Sequence, residues 1–426
     1  MNLKYTPRLI FNNIKNHLIK NKEITLLIGP RQVGKTVLLQ QLQSYLQKEK
    51  NIKKQDILNF NLDIFSDQKL FTNQSEFIEY LKQKSEKRKI YVFIDEAQKI
   101  KEAGVFLKGV YDSNLNIKLI LTGSSNLEIR AKIHESLTGR KRVFYLLPFS
   151  FLEILNHHNP ELNNLILKKK KIFPSDLEKI LKYFFSYCIF GGYPQVVLSK
   201  TLAEKQAYLK EIFSSYLEKD IISFLRIENE HSFIKLVKLL ASQCSNLINI
   251  NNLSTLIGTD RYTVNRYISI LEKTFVNYNL IPFFNNPRQE IIKASKIYFY
   301  ENGLRNLGLE KLEKNFLIRE DKGVLLENTI LKELLILQQT KNFSLRFWRT
   351  KNGAEVDFIL EKGLKLIPLE VKTNLNYPKL EKSFLGFLTR YNPEKALIVN
   401  LNFQGQKKIN KTQVYFIFPW ELDEYI

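Results

Sequence analysis

The sequence predicts an α/β protein: an N-terminal parallel sheet, a helical and winged-helix middle, and a C-terminal α/β domain. Three observations carry this. Residues 24–160 alternate short apolar runs with helical stretches, the pattern of strands buried on both faces and crossed over by helices. Residues 161–300 turn to helical periodicity and close on two short strand-like runs. From about residue 322 the order reads helix, three strands, helix, strand. A chain of 426 residues accommodates roughly three domains, and 44% apolar residues are enough to fill their cores. The boundaries fall at 1–160, 161–245, 246–310 and 311–426.

Composition narrows the class without fixing it. No apolar run reaches the ~18 residues that a membrane span needs, and the first residues lack a signal-peptide core. Two cysteines, Cys188 and Cys244, lack ligand-like spacing, so a reduced cytoplasmic protein is expected, with no structural zinc and no membrane partner. The net charge is +22, but fifteen arginines stand against fifty lysines. Residues 1–160 and 161–426 carry +11 each. A charge spread this evenly permits nucleic-acid contact and locates none of it.

In the first domain Ile24–Ile28, Ile57–Leu62, Ile90–Asp95 and Ile117–Thr122 read as four buried strands. Between the first strand and a helix over Val37–Lys48 lies Gly29-Pro30-Arg31-Gln32-Val33-Gly34-Lys35-Thr36, which fits the phosphate-loop (P-loop) pattern at every fixed position. Glycines let backbone N–H groups curl around a phosphate at the helix N-terminus. Lys35 then bridges the β- and γ-phosphates of ATP, and the Thr36 hydroxyl ligates Mg²⁺. The strand Ile90–Asp95 ends in Asp95-Glu96, with Asp95 for the Mg²⁺ shell and Glu96 to polarise the attacking water. The Ile117–Thr122 strand runs into Gly123-Ser124-Ser125-Asn126, where Ser124 is placed to sense the γ-phosphate.

These runs, with Ser136-Leu137-Thr138-Gly139-Arg140, Leu147–Glu153, Gly191-Gly192-Tyr193-Pro194 and Tyr216–Ile221, resemble a prokaryotic ATPase family of the AAA superclass. Its members carry a C-terminal domain of unknown function 4143. The resemblance implies that Arg140 approaches a γ-phosphate, in its own subunit or a neighbour's, and leaves the oligomeric state open.

Asp176–Phe185 and Leu202–Glu218 read as helices. Leu253–Gly258 and Tyr262–Leu271 read as two helices around a Gly-containing turn, with Arg261, Thr263, Asn265 and Arg266 outward. Phe275–Phe283 and Ser295–Tyr300 then read as a wing. Such a unit either contacts DNA or serves as a spacer between domains. His157-His158 reads as a solvent-facing loop, Lys168–Lys171 as a solvated face, and Phe347-Trp348 as core.

In the last domain Glu327 lies on a helix, Asp357 follows a strand opening at Ala354-Glu355-Val356, and Glu370-Val371-Lys372 ends the next strand. If those strands are neighbours, Asp357, Glu370 and Lys372 converge. Asp357 and Glu370 would hold Mg²⁺, and Lys372 would activate a water against a phosphodiester. The order of elements is similar to the restriction-endonuclease-like core, the PD-(D/E)xK pattern that the family's tail also resembles. Two readings of the whole stay open. One is a Mg²⁺-dependent ATPase coupled to a DNA-directed, nuclease-like domain. The other is a nucleotide-dependent regulatory module that binds a protein partner and carries an inert tail.

Overall fold

The computed structural model describes residues 5–123, 136–215, 229–283, 294–312 and 315–426. The chain divides into two compact units, residues 7–148 and residues 149–426, the latter joined by the first six residues.

The first unit is built on a five-stranded sheet in the order β2-β3-β4-β1-β5. Its strands are β1 (Ile24–Ile28), β2 (Ile57–Asn61), β3 (Ile90–Asp95), β4 (Ile117–Gly123) and β5 (Lys141–Tyr145), and every pairing is parallel. β1, β3 and β4 are buried along their whole length, as continuous apolar runs in a parallel sheet should be. β5 was not among the expected strands. Its Lys141-Arg142-Val143-Phe144-Tyr145 has no apolar run because it is an edge strand, paired only with β1. Lys118 is an exception within β4. It is fully buried, and its ammonium donates to the carbonyls of Asn21, at 3.0 Å, and Glu23. Burial first, then Lys89, pulls its pKa down to about 7.

The second unit begins with helices. Phe151–His158 is launched by a capping box in which Ser150 and Glu153 serve each other's backbone N–H groups. This corrects the reading of His157-His158 as a loop, while His158 does face solvent. The pair ends that helix: the half-buried His157 has its Nδ1 2.9 Å from Thr6 Oγ1, and the exposed His158 stacks on Tyr183. The signal was present as Ser-x-x-Glu. Pro174–Phe190 and Leu202–Phe213 follow; Tyr216–Ile221 lies outside the described residues. Gly191-Gly192 is a packing device, since a Cβ on Gly192 would stand 2.2 Å from the Phe149 carbonyl oxygen. Its N–H donates to Glu301, which pairs with Lys332 in the interior.

Next come Ile250–Ile257 and Arg261–Lys273, joined through Gly258 at φ 69° and capped by Asp260, which accepts from the Thr263 N–H. Val264, Tyr267, Ile268 and Leu271 are buried, whereas Arg261, Asn265 and Arg266 are exposed. An antiparallel hairpin, β6 (Asn277–Leu280) and β7 (Lys296–Phe299), follows. The last region is a six-stranded mixed sheet in the order β12-β13-β11-β10-β9-β8. It comprises β8 (Ser344–Arg349), β9 (Glu355–Lys362), β10 (Lys365–Val371), β11 (Lys395–Val399), β12 (Gly405–Ile409) and β13 (Thr412–Ile417). The β12–β13 hairpin extends the expected strand order. β12 was hidden because its Gly-Gln-Lys-Lys-Ile is a solvated edge. One face of the sheet packs Val356, Ile359, Phe384, Phe387 and Trp348 into a core with the Lys382–Tyr391 helix.

Candidate functional sites

The phosphate loop links β1 to the Lys35–Lys48 helix at the C-terminal edge of the parallel sheet. Gln32 and Gly34 both take positive φ, 60° and 89°, so the loop curls back over the helix N-terminus. Gly29 permits a close approach, because a Cβ there would stand 2.1 Å from the Leu146 carbonyl oxygen. Arg8, which the sequence did not single out, braces the loop by donating to the Val33 carbonyl at 3.0 Å and to that of Leu147.

Lys35 is buried, and its ammonium is folded onto the Gly29 and Pro30 carbonyls at 3.0 and 2.9 Å. Burial holds its pKa down at about 8, against the opposing pull of Glu96 and Asp95. The Thr36 hydroxyl donates to Asp95 Oδ2 at 2.7 Å. The other carboxylate oxygen, Oδ1, accepts from the Thr122 hydroxyl. That same hydroxyl accepts from the Glu96 N–H at 3.1 Å. β4 therefore lies between β1 and β3 and contributes Thr122 as the residue that orients Asp95. Glu96 sits at φ 57°, in the left-handed region, and its Oε2 accepts from Gln98 Nε2 at 2.5 Å. Ser124 lies outside the described residues.

Arg140 is not brought to this loop. It precedes β5 and hydrogen-bonds through its carbonyl to Ile24 N at the opening of β1, whereas Gly29 follows the strand's far end. Five residues of strand separate the two ends by about 16 Å. Its guanidinium instead grips Asp112 with two bonds, at 2.7 and 3.2 Å.

In the second unit β9 and β10 are antiparallel neighbours, with Leu369 opposite Phe358. A bulge interrupts the β8–β9 ladder, so that Arg346 pairs with Ile359 but Trp348 pairs with Val356. The extra residue of β9 lets Val356 and Ile359 both face the Lys382–Tyr391 core. Phe358 meets Tyr298 on the other side, with ring centroids 5.9 Å apart. Asp357 Oδ2 accepts from the Val371 N–H at 2.8 Å, which ties it to Glu370. Lys372 Nζ lies 2.7 Å from Glu370 Oε1 and 2.6 Å from Glu381 Oε1. Glu370 Oε2 is buried and without a hydrogen-bond partner among the described residues. Burial, then the neighbouring Asp357 charge, raises the Glu370 pKa to about 7.

Glu327 is held by residues that sequence reasoning missed. Its Oε1 accepts from the Tyr298 hydroxyl at 2.5 Å and from Lys296 Nζ at 3.3 Å. Lys296 belongs to β7, is 2% exposed, and also pairs with Glu355, which Arg349 holds at 2.7 Å from the other side. Burial acts to lower the Lys296 pKa, but Glu327, Asp357 and Glu355 outweigh it and hold it above the usual lysine value. Glu327, Asp357, Glu370 and Lys372 thus gather around one charged cluster, with an internal lysine inside it. Among the described residues no group of three or more His, Cys, Asp or Glu side chains is arranged to hold a metal ion. Two carboxylates completed by water and phosphate oxygens suffice for Mg²⁺, and the unpaired Glu370 Oε2 next to Asp357 suits that role.

Three segments of the chain match family models. Residues 21–155 match the model of an AAA domain, residues 181–314 a domain of unknown function (DUF8612), and residues 322–421 a domain of unknown function (DUF4143). An N-terminal segment thus matches an AAA domain, and a C-terminal segment matches a domain of unknown function 4143. An uncharacterized protein of Haemophilus influenzae is 25% identical over 96% of this chain and 98% of its own length. Uncharacterized protein MJ1544 of Methanocaldococcus jannaschii is 27% identical over 94% and 87%. Among solved structures, the ADP form of the Aeropyrum pernix ORC2 protein covers 73% of this chain and 96% of its own, at 11% identity and TM-score 0.36. Domain III of the Thermotoga maritima replication initiation protein DnaA covers 50% and 88%, at 12% identity and TM-score 0.30. Among the described residues no helix is long and apolar enough to cross a membrane.

Proposed function

We propose that the protein hydrolyses ATP with Mg²⁺ in its first unit. The observation that supports this best is the Thr36–Asp95–Thr122 chain, in which one carboxylate accepts from two hydroxyls beside the phosphate loop. Bound Mg²⁺ would neutralise charge on the β- and γ-phosphates. Thr36 and Asp95 would hold it, and Lys35 would leave the Gly29 and Pro30 carbonyls for phosphate oxygens. Glu96, oriented by Gln98, would position the attacking water. Arg140, at the opposite end of the sheet, would serve a neighbouring copy and not its own nucleotide. Phosphate release with and without EDTA, in wild type and Lys35→Ala, tests the proposal. Equal rates in wild type and variant refute it.

For the second unit we propose a Mg²⁺-dependent, phosphodiester-directed site at Asp357, Glu370 and Lys372, coupled to ATP turnover and directed to DNA. Its support is the adjacency of the half-buried Asp357 and the buried Glu370, with one unpaired oxygen on Glu370. The exposed Arg261, Asn265 and Arg266, on the second helix of a winged-helix-like unit, would contact the DNA backbone. Asp357→Ala and Lys372→Ala should each abolish cleavage of linear, supercoiled or single-stranded DNA while sparing ATP hydrolysis. A wild type that cuts none of these with Mg²⁺ or Mn²⁺ refutes the nuclease part. One observation favours the alternative of a regulatory, protein-binding module with an inert tail: Lys296 already neutralises Glu327 and Glu355.

A further inference from the structure

The second unit contains a cleft that neither the phosphate loop nor the carboxylate cluster uses. It encloses about 1250 Å³ between the Pro174–Phe190 helix, the start of the Leu202–Phe213 helix and the segment after β10. That exceeds the roughly 300–1,000 Å³ of pockets that take small ligands, and suits a piece of chain. Lys179, Lys182, Lys200, Lys205 and Lys322 line it, against the single carboxylate of Glu178. The Lys182 and Lys200 ammonium groups are exposed and make no hydrogen bond or ion pair among the described residues.

The remaining wall is aromatic and amide. The half-buried Phe185 ring lies flat on Phe316, with centroids 4.9 Å apart at 9°. On the far side Asn402 Nδ2 donates to Asn374 Oδ1 at 3.0 Å, which fixes two amides at the rim.

We propose that this cleft binds single-stranded nucleic acid, with phosphates on the lysines and bases against Phe185 and the asparagine amides. Clustered ammonium groups call for a polyanion, and aromatic faces beside them for unstacked bases. A duplex keeps its base faces in its own stack, so it would use the lysines and leave the aromatic wall idle. The cleft also leads to the carboxylates: Lys322 opens the helix that carries Glu327, and Thr373 follows Lys372. A strand seated here would be delivered toward Asp357 and Glu370. In that respect the inference deepens the nuclease-like reading, while binding itself is independent of cleavage.

The test is fluorescence anisotropy of the full-length protein with a labelled oligothymidine of about 20 nucleotides, in EDTA and at salt from about 50 mM upward. The Lys182→Glu/Lys200→Glu double variant should bind at least tenfold more weakly at low salt. Its log–log salt slope should be shallower by about 1.4, since each lost phosphate contact on a single strand removes about 0.7. ATP turnover should not change. Lys48→Glu/Lys50→Glu, exposed in the first unit, is the charge-matched control and should bind like wild type. A thermal melt confirms that each variant is folded. Undiminished binding by a folded cleft variant, no binding by the wild type at low salt, or an equal loss on duplex DNA each overturns the proposal. Cleft-dependent binding by a protein that never cuts would refute the nuclease reading alone.

Discussion

The two carboxylate sites solve one problem in opposite ways. In the first unit Asp95 is satisfied by the neutral hydroxyls of Thr36 and Thr122, and the nearby cation, Lys35, spends its charge on loop carbonyls. Those partners can be exchanged for a phosphate and a metal without breaking an ion pair. In the second unit Glu327 and Glu355 share the ammonium of Lys296, and Glu370 is paired with Lys372. That site carries its cations within the fold. The first is arranged to receive charge, and the second is largely neutralised before any ligand arrives.

The sharpest way to break this contrast is Lys296→Met. It leaves Glu327 with only the Tyr298 hydroxyl and Glu355 with only Arg349, and should cost about 3 kcal/mol of stability, read by denaturant unfolding. Adding Glu327→Gln should restore part of the loss; no loss in the single variant would show that Lys296 does not neutralise the cluster. In the first unit Lys35→Ala should leave the melt almost unchanged and lower ATP turnover by about 100-fold or more. A smaller effect is expected from Thr122→Val. Asp95 keeps its bond to Thr36, so turnover should drop about tenfold, about the worth of one hydrogen bond to a charged group. A wild-type rate in that variant would remove Thr122 from the site.

A separate effect concerns pH. The Lys118 pKa is about 7 in the folded state, against about 10.5 in a free chain. Below pH 7 both states hold the proton, and the folded state bears the full cost of a buried charge. Between pH 7 and about 10.5 the unfolded chain holds more protons, so stability rises with pH across that window. Lys118→Met should flatten this rise in a series of thermal melts. An identical pH profile would show that the lysine is not strained.

Much of the first site was legible because it is local. Strand, loop and helix follow one another within Ile24–Lys48, and an apolar run delivers Asp95 and Glu96 at its end. Thr122 could be seen as a strand residue, but its role depends on β4 lying between β1 and β3, which is a fact of sheet order. Arg8 reaches the loop from outside any motif. The second site was legible only by type. Alternation on β9 and β10 placed Asp357 beside Glu370, whereas the bulge that sorts Val356 and Ile359 from Phe358 leaves no mark in composition. Lys296 is 31 residues from Glu327 in sequence and sits in a hairpin that reads as an ordinary wing. A lone lysine opening an apolar strand gives no hint that three carboxylates surround it in the fold.

Lys296 also ties a mechanical coordinate to an electrical one. Its backbone belongs to the β6–β7 hairpin, while its ammonium lies among carboxylates supplied by the Lys322–Lys341 helix and β9. Any displacement that draws the hairpin outward removes one positive charge from the cluster and leaves it hungrier for a cation by that amount. Binding a cation there would in turn push the hairpin out. The hairpin thus carries, on the first residue of β7, the counter-ion of a cluster whose carboxylates belong to other elements.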